Sequence, residues 1–92
     1  MKKRFEFEFL DESSSNQITF EYDDESDIEE EMEVSIVGGI PTMYANQKAL
    51  MALGKAFIKM SLCDYKDGFH IHFRRNFDGD QPETFLVVLN RF

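Results

Sequence analysis

Two histidines, one cysteine and a dense run of carboxylates are the side chains with chemistry to offer. His70 and His72 stand two apart in Gly68-Phe69-His70-Ile71-His72-Phe73, and on a strand that spacing sends both rings to the same side. Paired imidazoles suit zinc or another transition metal, with a third ligand to be drawn from Glu6, Glu8 or Asp78. A metal-binding domain or metal-dependent enzyme centred on His70 and His72 is therefore one reading. The plainer reading pairs the same rings with carboxylates across strands, with no cofactor expected. Asn76-x-Asp78-x-Asp80 echoes the start of a calcium loop, but Gln81 replaces the required glycine and Val87 falls where the bidentate acid belongs. Cys63 has no recognisable nucleophile motif around it, and Gly38-Gly39 lacks the spacing and helix-opening context of a phosphate loop.

The carboxylates are unevenly distributed. The chain has 92 residues and a net charge of -8, yet Glu21 to Glu33 holds Glu21, Asp23, Asp24, Glu25, Asp27, Glu29, Glu30, Glu31 and Glu33 with no base among them. The remainder carries a net charge of about +1. Such a block either solubilises a loop or directs a field at a cationic partner, raising association rate more than affinity. Nucleic acid and anionic membrane are disfavoured, and a basic protein is favoured. The lone Cys63 cannot form an internal disulfide, which suits a reducing compartment. Met1-Lys2-Lys3-Arg4 is followed by Phe5-Glu6-Phe7-Glu8-Phe9, too charged for a secretory leader. No apolar run approaches the roughly 20 residues of a membrane span, so a cytoplasmic location is expected.

The elements that position these groups follow from periodicity. Lys3–Leu10 and Gln17–Tyr22 alternate apolar with polar, predicting two paired strands. Asp23–Glu31 reads as a mobile acidic loop. Met32–Val37 predicts a third strand, ended by Gly38-Gly39-Ile40-Pro41, and Thr42–Ala45 an irregular approach to a helix. That helix begins at Asn46, a competent N-cap, and places Leu50, Leu53, Phe57 and Met60 on one face. Gly54 on that face suggests close approach to a sheet, and Lys48, Lys55 and Lys59 a solvated stripe. Phe69, Ile71 and Phe73 point to the core, leaving His70, His72 and Arg74 outside. Thr84–Leu89 is apolar on both faces, which suggests a central strand or a contact through Leu86 and Val88. The expectation is one α+β domain, β-β-β-α-β-β, with about five antiparallel strands and one helix on one face. The other face would gather Arg4, Glu6, Glu8, Thr19, Glu21, Glu33, Ser35, His70, His72 and Arg74.

One stretch resembles a known group. Ala45-Asn46, Leu50, Leu53-Gly54 and Phe57, then Gly68-Phe69-His70-Ile71-His72-Phe73, then Pro82-Glu83-Thr84 before an apolar strand are similar to a small family of bacterial polymorphic-toxin immunity proteins. In that family an Asn-initiated helix precedes a Gly-aromatic-His-x-His strand. The similarity covers about half the chain. Ala45 and Ala49 stand where members often carry glycine. The resemblance implies a non-enzymatic protein that neutralises a cognate toxin. A nuclease toxin, cationic where it grips phosphate, would suit the acidic block. The interface expected first is Asp23, Asp24, Glu25, Asp27, Glu29, Glu30 and Glu31, with His70, His72 and Arg74 second. A homodimer pairing through Leu86 and Val88 or a strand edge is a third reading.

Overall fold

Gly38 and Gly39 adopt φ of 60° and 80°, the left-handed pair that a two-residue hairpin turn requires. The turn joins β1 (Met32–Val37) to β2 (Ile40–Ala45), antiparallel, with Val37 opposite Ile40 and Met32 opposite Ala45. Helix α1 (Gln47–Leu62) follows at once, and Asn46 caps it by accepting a hydrogen bond from the Ala49 amide. β3 (His70–Arg74) and β4 (Glu83–Val88) form a second antiparallel hairpin, His70 opposite Val88 and His72 opposite Leu86, with an irregularity between Phe73 and Arg74. The computed structural model describes residues 1–23, 27–90 and 92. Among them the architecture is α+β, one α-helix with two separate two-stranded sheets. No described helix is long and apolar enough to cross a membrane.

The core lies where helix and hairpins meet. Met32, Ala49, Leu53, Met60, Ile71 and Phe73 are buried together, with Ile18, Phe20, Val34, Phe69, Phe77, Phe85, Val87 and Leu89 packed around them. Phe73 stacks on Phe85 at 4.5 Å, and Phe20 and Phe77 close on it from the side. Removing such apolar surface from water is the main stabilising contribution, about 25 cal/mol per Å².

Several expectations are corrected. Among the described residues there are four strands, in two sheets, where about five in one sheet were expected. Lys3–Leu10 and Gln17–Tyr22 form no ladder, and a short 3-10 turn at Ser13–Ser15 lies between them. Their alternation survives as side-chain sidedness: Phe7 stacks on Phe9, with Phe5 tilted against Phe7 and Phe20 tilted against Tyr22. Ring stacking and burial are met without strand partners because the segment lies along α1 instead. There Lys55 and Lys59 sit over the Phe7 ring, and Lys59 also over Phe9. The lysine stripe is thus not solvated. Lys59 is 3% exposed, donating to Thr19 O at 2.7 Å and pairing with Glu21 Oε1 at 2.9 Å, while Lys48 pairs with Asp23.

Cover from that side changes the buried face of the helix. Ala49, Ala52, Leu53, Ala56, Lys59 and Met60 are inside, whereas Leu50 and Phe57 are only half covered. A Cβ at Gly54 would meet nothing within 4 Å, so close approach does not explain that glycine. Thr42–Ala45, expected to be irregular, belongs to strand β2, Ile40–Ala45. Thr84–Leu89 is not central: Leu86 and Val88 are each more than half exposed. The common polar face also dissolves, since Glu21 turns to Lys59, Glu33 to Arg75 and Thr19 to Glu12.

Candidate functional site

Asn46 does more than start the helix. Its Oδ1 accepts from the Ala49 and Glu31 amides, its Nδ2 donates to Glu29 O at 2.8 Å, and its own amide donates to Glu31 O. The last part of the acidic segment, Glu29–Glu31, lies outside helix and strand, and its backbone is tied to the helix N-terminus. Among the interface candidates, Asp24 and Glu25 lie outside the described residues. Asp23 is ion-paired with Lys48, and Asp27 is exposed.

The acids of this tied segment border a cleft of about 410 Å³ lined by Tyr22, Glu29, Glu30, Glu31, Asn76, Phe77 and Asp78. Its floor is aromatic, Tyr22 and Phe77 meeting edge to face at 5.8 Å. Asn76 and Phe77 both hold positive φ, 55° and 56°, a conformation that costs a non-glycine residue about 1–2 kcal/mol. The strain is offset on both sides. Asn76 Oδ1 accepts from the Met32 amide at 2.8 Å, and Phe77 packs against Phe20, Tyr22 and Phe73. Burial first, and the Glu30 charge second, push the Tyr22 hydroxyl above its ordinary pKa. Among the described residues no cation pairs with Glu29, Glu30 or Glu31, whereas Glu21, Asp23, Glu33 and Glu83 all have basic partners. Carboxylates and aromatic rings lining one cleft can hold an ammonium or guanidinium group by charge and by the ring quadrupole together.

The histidines belong to another region. Both project from the outer side of β3, ring centroids 5.0 Å apart. His72 Nδ1 lies 3.1 Å from Glu83 Oε2, and His70 Nδ1 lies 3.1 Å from Gly68 O. Arg74 is tied down, donating to Gln81 O at 2.8 Å with Glu83 Oε1 at 3.6 Å. Across the ladder stand Leu86 and Val88, so this face mixes apolar and polar side chains. Among the described residues no group of three or more His, Cys, Asp or Glu side chains is arranged to hold a metal ion. Glu6, Glu8 and Asp78 do not complete one around the histidines: Glu6 pairs with Arg4, and Asp78 lines the cleft.

Cys63 hydrogen-bonds with Asp11, and burial, then that bond, raises its thiol pKa. A thiol so held is protonated and a poor nucleophile. Sequence reasoning found the acidic rim but missed Tyr22, Phe77 and Asp78 as its partners. The Asn76-x-Asp78 turn was visible, though only as a poor calcium loop. Comparison of this chain with known protein families, curated proteins and solved structures finds no match.

Proposed function

We propose that this chain is a non-enzymatic protein-binding domain that inhibits a cationic partner, an immunity-type protein whose cognate toxin is basic. The observation that carries the reading is the cleft itself: Glu29, Glu30 and Glu31, without basic partners among the described residues and with the Glu29 and Glu31 backbone tied to Asn46, line it together with Tyr22 and Phe77. Tying down the backbone that carries these acids before encounter lowers the ordering cost of binding, and their field speeds the approach of a basic surface. Lys and Arg side chains of the partner would enter the cleft. His70, His72 and Arg74, with Leu86 and Val88, form a second patch of mixed character for a wider footprint.

The experiment pairs capture with function. Wild type and a Glu29→Gln/Glu30→Gln/Glu31→Gln variant are used to capture basic proteins from the native host at low and high salt. The captured protein's toxicity is then assayed with each form added back. The reading expects capture and neutralisation by wild type, weakened by salt, and at least about tenfold weaker binding by the variant. Equal neutralisation by both forms overturns the cleft.

A further inference from the structure

We propose that β2 is the seam of a homodimer, two copies pairing antiparallel through this edge into one four-stranded sheet. This does not depend on the cleft or on the toxin reading. The first observation is chemical. From Val34 to Gln47, fourteen consecutive residues carry no charge, in a chain where 30% of residues are charged and the net charge is -8. A twofold axis brings each surface against its own copy, and like charges there repel. Within this acidic chain, the uncharged hairpin can meet itself without that cost.

The second observation is the exposed surface. Ile36, Val37, Ile40, Met43 and Tyr44 are 74, 49, 66, 39 and 52% exposed. Met32, Val34 and Ile36 share a face with Ala45, Met43 and Pro41. Met32 is buried in the core, and Ile36 at the far end is bare. The core-side face thus runs on past the core with nothing among the described residues covering its far end. An isolated two-stranded ribbon is marginal in water.

The third observation is the edge. Val37 and Ile40 flank the two-residue turn and form a hydrogen-bonded pair, so the ladder alternates from there. Ile40, Thr42 and Tyr44 address β1, while Pro41, Met43 and Ala45 turn their backbone groups outward. The Asn46 amide bond to Glu31 O keeps the same alternation. Pro41 occupies an outward position, where its missing N–H breaks no bond within the hairpin. β1 differs from β2, because its outward Met32 amide is already taken by Asn76. With the axis at Met43, the two Met43 residues exchange both of their bonds. Each Ala45 amide then donates to Pro41 O of the second copy. Pro41 lacks a donor at only one place per copy, and so favours this register.

The test follows wild-type protein by sedimentation velocity and amide hydrogen exchange from low micromolar to millimolar concentration. Expected are a concentration-dependent dimer and protection of the Met43 and Ala45 amides that grows with it, while Ile40, Thr42 and Tyr44 are protected throughout. Met43→Lys, at an exposed position, places two like charges on the axis and should weaken the dimer by at least about tenfold with an unchanged circular dichroism spectrum. A monomer at every concentration overturns the proposal, even if another protein's strand takes the edge. So does a dimer in which the Met43 and Ala45 amides stay unprotected, which would place the contact on another face such as Leu86 and Val88.

Discussion

Lys59 and Glu21 form an ion pair of unequal burial: the lysine side chain is 4% exposed, the glutamate 37%. The amine has two oxygens and two aromatic rings around it. Its partner can turn to solvent. Losing the acid should therefore cost more than losing the base, because only the first strands a buried charge. Glu21→Gln is expected to lower stability by about 2 kcal/mol and Lys59→Met by under about 1 kcal/mol. The double variant should match Lys59→Met. Urea denaturation of the four proteins completes the cycle, and equal losses from both single variants would refute the asymmetry.

Asn46 couples the helix start to the acidic rim. Asn46→Ala removes the cap, worth about 1 kcal/mol, and frees Glu29–Glu31. Asn46→Asp keeps the acceptor for Ala49 and Glu31 but loses the donor to Glu29 O. Hydrogen exchange should show faster amides at both Ala49 and Glu31 in the alanine variant, and slow ones in the aspartate variant. Fast exchange at Ala49 alone would separate cap from rim.

Asn76 combines a left-handed backbone with a side-chain bond to Met32. Asn76→Gly keeps the first and removes the second, so it should cost about 1 kcal/mol, the worth of one such hydrogen bond. Asn76→Ala loses both and should cost about 2 kcal/mol. Thermal unfolding distinguishes them, and identical midpoints would show that the backbone conformation is unstrained.

Two tyrosines predict behaviour at high pH. Burial raises the pKa of Tyr65, whose hydroxyl donates to Gln17 O at 2.5 Å, and raises that of Tyr22, helped there by Glu30. A group whose folded pKa exceeds its unfolded value contributes stability that is complete below the unfolded pKa and lost as pH rises through the folded one. Stability should hold up to about pH 10 and fall above it. Absorbance at 295 nm should show both rings ionising late, and Tyr65→Phe should blunt the alkaline loss. A variant that unfolds along the same pH curve as wild type would remove Tyr65 from that account.

Much of this was readable from residue order. Asn46 announced the helix, Met32–Val37 and His70–Arg74 announced their strands, and the His-x-His spacing placed both rings on one side. β2 was missed because Gly38-Gly39 and Pro41 read as a terminator. A two-residue turn makes them a hairpin, and an outward-facing proline is compatible with an edge strand. The N-terminal alternation was real but said nothing of partners, and helix lysines with aromatic rings supplied them. The cleft could not be read, since it depends on the left-handed Asn76 and Phe77 bringing Phe77 beside Tyr22 across 55 positions of sequence.

The bond from Met32 to Asn76 also bears on how the chain can be divided. A residue in the turn between β3 and β4 completes the edge of β1, while Phe73 closes the core that Met32 opens. Neither hairpin is finished without the other, so the molecule should melt in one transition. A cut between α1 and β3 should leave two fragments that are unstructured apart and regain their order only when mixed.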